Sequence, residues 1–189
     1  MTTAKVPLEL GYKLDYEPSA PRISKKDLLM FLAFLLLTEG GGAIIGIASA
    51  GQIATWYKDL VKPSWNPPNW LFGPMWTTLY FLQAVSAFMI WKSIGFKKAL
   101  PWLLFFTQLA LNFAWTPIFF IAHQLLWASV ESTFQAFFIL FTITIFGDIN
   151  KTAGLLLLPY LAWVTFATYL SFTIWQLNPE TLGLWIIFD

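Results

Sequence analysis

Cysteine is absent from this 189-residue chain, histidine occurs once, and charged residues make up only 11% of it. The first absence removes disulfides, thiolate nucleophiles and thiolate metal sites together. A single histidine, His123, falling in a loop, leaves no haem ligand inside the molecule and no metal site. A net charge of +1 supplies no basic face for a phosphate backbone, so nucleic acid is excluded as a partner. What fills the chain instead is apolar: 58% hydrophobic, 19% aromatic, with a mean hydropathy of +0.64. That is far outside the range of soluble domains and places the chain in a bilayer.

Residues 1–27 carry Lys5, Lys13, Arg22, Lys25 and Lys26 together with Pro7, Pro18 and Pro21, and read as an extended or disordered polar tail. The first apolar run starts at Leu28 and is too long for a signal peptide, so nothing is expected to be cleaved; Glu9, Asp15 and Glu17 count against a mitochondrial transit peptide. Apolar runs near 28–49, 71–94, 100–122, 125–147 and 153–177 are each long enough to cross a hydrocarbon core, which needs roughly 20 helical residues. The expectation is an all-α membrane protein, a bundle of five transmembrane helices over residues 28–178, with a short tail at 179–189. Nine of the eleven lysines and arginines then fall on one side, which sets the N-terminus inside and the C-terminus outside.

Between the first two runs lies WYKDLVKPSWNPPNWLFGPMWTTLY, residues 56–80, with four Trp, four Pro and two Tyr. Pro63, Pro67 and Pro68 cannot propagate a helix and force extended backbone before them, so the connection is a stiff, structured Trp/Pro-rich lid. Its rings also suit an interfacial aromatic belt.

Polar residues inside the runs recur at helical spacing. Glu39, Gly42 and Gly46 share a face; so do Trp76, Tyr80 and Gln83, then Gln108, Asn112 and Trp115, then Glu131 and Gln135, then Tyr160, Trp163, Ala167 and Ser171. Any single amide could be interhelical glue worth about 0.6 kcal/mol. Five stripes that also carry three tryptophans point instead to an inward cavity, with Glu131 buried in it, uncharged or paired to Gln135 or Asn112. Such a lining suits a flat conjugated ligand, porphyrin better than sterol, and metal-free porphyrin better than haem. Gly42 and Gly46 serve either the bundle or a homodimer, with Ala110 and Ala114 as the competing dimer face; a homodimer is expected.

The order Trp56-Tyr57, Leu60, Lys62-Pro63-Ser64-Trp65, Pro67-Pro68, Trp76, Thr78-Leu79-Tyr80 resembles the signature of the translocator protein family, the tryptophan-rich sensory proteins or peripheral benzodiazepine receptors. Gln108, Asn112, Trp115 and Phe119-Phe120 match its third-helix motif; Pro159-Tyr160-Leu161, Trp163, Phe166-Ala167 and Asn178 match its fifth. The resemblance implies a five-helix membrane protein that binds porphyrins such as protoporphyrin IX as ligand, with no required cofactor. It implies a pocket at Tyr57, Pro68, Trp76, Asn112, Trp115, Trp163 and Ala167, to which the stripes add Tyr80, Glu131 and Ser171. Trp76 and Trp163 match tryptophans implicated in porphyrin breakdown. The proposed cholesterol pattern fails around Tyr169 because no basic residue follows it, which favours a bacterial cell membrane over the mitochondrial outer membrane. The leading expectation is a tetrapyrrole-binding protein or sensor. The alternatives are a transporter of porphyrin or sterol and a light-dependent porphyrin-degrading enzyme.

Overall fold

The computed structural model describes residues 24–179; the readings made for residues 1–23 and for the C-terminal tail from 180 lie outside the described residues. Within them every regular element is helical. Helix α1 (Lys25–Leu35) begins ahead of the first apolar residue because Ser24 caps it: the Asp27 N–H donates to Ser24 Oγ (3.1 Å) and the Ser24 N–H donates back to Asp27 Oδ2 (3.0 Å). A reciprocal cap of this kind is typically worth about 1 kcal/mol. Through a π-helical turn at Leu36–Gly40, α1 continues into α2 (Gly41–Ala54), giving one rod of 30 residues. A single turn, α3 (Trp56–Asp59), and the extended lid lead to α4 (Asn69–Ile94).

Helix α5 (Ala99–Thr116) widens into a second π turn at Pro117–Ile121. Pro117 has no amide hydrogen to give the preceding turn, and the wider register starts there. Helices α6 (Leu125–Ile149), α7 (Lys151–Leu155) and α8 (Leu158–Leu177) complete the chain, α7 and α8 forming one segment. Four segments are long and apolar enough to cross a membrane: Lys25–Ala54, Ala99–Ile121, Leu125–Ile149 and Lys151–Leu177. Helix α4 matches them in length, but Thr77, Thr78, Gln83 and Lys92 dilute its apolar character and it is not among the four.

The two ends of the bundle are built differently. At the end where α1 starts, Phe34, Ala84, Ile90, Trp102, Phe105, Phe146 and Leu157 form a continuous core, with Phe34 stacked on Trp102 at 5.6 Å and Phe105 on Phe146 at 6.0 Å. Lys92 pairs with Asp27 at 2.9 Å, and Ser86 Oγ donates to the Ala153 carbonyl at 2.7 Å. Helices α6 and α7 cross so closely that a Cβ on Gly154 would stand 2.9 Å from the Gly147 backbone, so only glycine fits there. Helix α6 packs between α5 and α8, and α1 lies along α4. Past the π turn, α2 leans on α5 and leaves space between itself, α4 and α8. The half of the bundle beneath the lid is therefore hollow.

Candidate functional site

The lid is seated by its own rings. Tyr57 and Leu60 are buried against Phe119, Leu125, Leu170 and Ile174. The Tyr57 hydroxyl donates to Asn66 Oδ1 (3.1 Å), while Asn66 closes a turn by donating its N–H to the Pro63 carbonyl (2.9 Å). Burial pushes the Tyr57 hydroxyl above its usual pKa against the opposing effect of Asn66, so it remains a donor at neutral pH. Lys62 lies over the Tyr57 ring at 4.6 Å and donates to the Leu60 carbonyl at 2.8 Å. Trp65 stacks on Tyr169 at 5.2 Å, so this ring holds the lid to α8, whereas Trp70 is largely exposed. At the last turn of α8, Asn178 binds both backbone groups of Val61, accepting its N–H and donating to its carbonyl, each at 2.9 Å. His123 joins the frame by stacking on Trp56 at 4.0 Å, with Gln52 Oε1 3.3 Å from its Nε2.

Beneath the lid is a cavity of about 550 Å³. Trp76, Trp115, Trp163, Phe72 and Phe119 supply aromatic walls, and Gly46, on the α2 wall, has open space where a side chain would be. The floor is polar and satisfied: Tyr80 donates to Asn112 Oδ1 at 2.6 Å, and Gln135 donates to the Tyr160 hydroxyl at 2.7 Å. Thr38 reaches across from the first rod to the Tyr80 carbonyl at 3.0 Å, and the ring of Tyr80 packs directly on Gly42. Below this level the packed core begins, so the cavity has a closed end.

Of the residues singled out in the sequence, Tyr57, Trp76, Tyr80, Asn112, Trp115, Trp163, Ala167 and Ser171 line this one space. Pro68 does not; it is the residue preceding α4 and fixes the direction in which Asn69 and Trp70 enter the wall. Glu131 does not line it either. Its carboxyl oxygens are buried with no partner, and the amides expected to meet it are engaged elsewhere, Gln135 with Tyr160 and Asn112 with Tyr80. Ser132, one position further along α6, occupies the wall instead. Gly42 and Gly46 both face the cavity, which gives that pair an intramolecular use.

Sequence reasoning put Glu39 on an inward stripe, and Glu39 lines the cavity; Phe72, Phe119 and Ser132 it left out of the site. Helical spacing could have found Phe119, one turn beyond Trp115, and Phe72, one turn before Trp76. Among the described residues no group of three or more His, Asp or Glu is placed to hold a metal ion. The chemistry available is that of ring faces, amides and one accessible carboxyl group.

Comparison with known proteins adds lineage to this geometry. The model of the TspO/MBR family matches residues 34–176, which covers all the cavity elements. The bovine (Bos taurus) protein named Translocator protein is 39% identical over 150 residues, 78% of this chain and 89% of its own. Tryptophan-rich protein TspO of Chlorobaculum tepidum is 45% identical over 147 residues, 73% of this chain and 92% of its own. Tryptophan-rich sensory protein of Cereibacter sphaeroides is 36% identical over 152 residues, 80% of this chain and 93% of its own.

Proposed function

Because this chain belongs to the TspO/MBR family of membrane proteins, we propose that it is a membrane receptor holding a flat tetrapyrrole in the cavity beneath its lid. The observation that carries the reading is the lining: tryptophans from α4, α5 and α8 converge on one space of about 550 Å³. That lies inside the roughly 300–1,000 Å³ typical of small-ligand sites, and ring faces are what a conjugated macrocycle stacks on. Protoporphyrin IX is the ligand we assign, without a metal.

The names of the relatives include both a sensory and a translocating role. The closed floor favours holding over passage: a carrier must open the packed half, whereas Tyr80, Asn112, Tyr160 and Gln135 seal it with satisfied hydrogen bonds. In this reading α4 crosses as the fifth span because it lies along α1 through the same depth. The lysine-rich end, with Lys25, Lys26, Lys92, Lys97, Lys98 and Lys151, faces inward, and Ala110, exposed on α5, belongs to a dimer face.

The test is a titration of purified protein with protoporphyrin IX, haem and cholesterol, followed by tryptophan fluorescence, for the wild type and Gly46→Phe. An added Cβ at Gly46 meets no atom within 4 Å, so a side chain can be added on this wall of the cavity without a clash at its root; the circular dichroism and Tm of the variant check that the fold is kept. Protoporphyrin should bind tightest and lose at least about tenfold in affinity in the variant, equivalent to about 1.4 kcal/mol. Equal binding by both proteins would remove the cavity from the reading.

A further inference from the structure

Glu39 stands alone in this lining. It sits in the π turn of the first rod, and among the described residues the cavity wall offers no Lys, Arg, His or Asp; tyrosines are the other titratable groups that face it, Tyr80 from α4 and Tyr57 from the lid. Glu39 is half-buried, and no hydrogen bond or ion pair joins it to any described residue, the one ion pair among them being Lys92 with Asp27 at the bundle end. Tyr80, which lines the same cavity, has already committed its hydroxyl to Asn112. Position makes this costly. Glu39 is midway along a 30-residue rod, about 20 Å from either end at 1.5 Å per residue, where an ionisable side chain needs a partner. The widened turn helps to present this side chain to the cavity, and functional sites often use π turns in this way.

From this we infer that Glu39 sets the charge specificity of the cavity: the preferred occupant is a flat, apolar ligand that carries a positively charged nitrogen at its deep end, and one that presents a carboxylate there is rejected. The inference builds on the proposed tetrapyrrole site and narrows its ligand class. An ammonium or amidinium group beside Glu39 replaces the missing partner with a charge-assisted hydrogen bond in a water-poor space. An anionic group meets the same carboxylate with no cation to offset it. A macrocycle with acidic substituents on one edge is therefore held with that edge toward the lid and its opposite, uncharged or cationic, edge toward Tyr80 and Glu39. The same residue separates ligands of one shape and different charge, which stacking on tryptophan cannot do.

The experiment compares three porphyrins sharing one ring: protoporphyrin IX, its dimethyl ester, and its bis(2-aminoethyl)amide, whose two primary ammonium groups can donate a hydrogen bond to a carboxylate. Affinities are measured by tryptophan fluorescence for wild type and Glu39→Gln in phosphatidylcholine nanodiscs, whose neutral surface does not sort the probes by charge. Wild type should favour the cationic over the dianionic ring by about tenfold or more. Glu39→Gln, of nearly the same size, should bring the two within about twofold of each other while leaving the ester unchanged. The same order and spacing in both proteins would overturn the inference with the tetrapyrrole site intact. Should none of the three rings bind, the tetrapyrrole reading fails, and the charge inference is read from a smaller planar pair, 9-aminoacridine as the cation and acridine as the neutral ring. A preference for the cation that Glu39→Gln abolishes would sustain it; the lack of any such preference would overturn it too.

Discussion

Trp76 and Trp163 reach the cavity from different helices and keep different company: Trp76 stacks against Tyr80 at 5.5 Å, and Trp163 meets the edge of Phe72 at 5.7 Å. An indole is the most easily oxidised ring in the lining, so a photoexcited porphyrin in contact can take an electron from it. Trp76→Phe or Trp163→Phe should weaken protoporphyrin binding only by about 0.5–1.5 kcal/mol, the worth of an aromatic pair. Photobleaching of the bound ring should slow by far more, about tenfold or beyond. Equal bleaching at matched occupancy would leave these rings a binding role alone. Gly42 and Gly46 make a second contrast at this scale. Gly42→Ala drives a methyl group into the Tyr80 ring and should cost about 1–3 kcal/mol, read as a lower Tm, whereas Gly46→Ala meets open space and should be close to neutral. Side-chain type and helical spacing pointed at Trp76, Tyr80, Asn112, Trp115, Trp163, Ala167 and Ser171, which all line the cavity. They could not separate Glu131 from Ser132, because neighbours on a helix differ by only about 100° and the wall here turns between them. Nor could they reveal that Glu39 lacks a partner, which depends on where five other segments place their charges.

Among the elements, the lid depends on a contact far away in the chain. Asn178 holds the Val61 N–H and carbonyl, so the lid is tied to the end of α8, 117 residues on. Asn178→Ala should speed exchange of the Val61 amide and raise the ligand off-rate severalfold, since each lost bond is worth about 0.5–1.5 kcal/mol; unchanged exchange by mass spectrometry would mean that the rings alone hold the lid. The helices themselves were legible as apolar runs, and their boundaries agree with those runs to within a few residues except in the first rod, which the Ser24 cap starts early at Lys25 and which runs on to Ala54, five residues past its expected end. The lid was legible through its prolines. Its strap was not, because Asn178 declares its partner only after folding, and the π turns were not, because their sequences, LLTEG and PIFFI, differ little from ordinary helix.

At the level of the whole molecule, an odd number of spans requires the termini to be on opposite faces. Tags at the two ends of the chain, assayed for accessibility in intact vesicles, should report one inside and one outside; two tags on one face would remove α4 or another segment from the count. The same bundle is packed tight at the lysine-rich end and hollow beneath the lid. Substitutions at the tight end are punished through folding, since Gly154 and its neighbours leave no slack. In the hollow half a residue such as Gly46 or Ala167 can change size or polarity and alter which molecule is accepted while the rest of the bundle stays upright. A chain divided in this way can inherit its architecture and renegotiate its chemistry, so two descendants of one ancestor can keep the same silhouette and answer to different molecules.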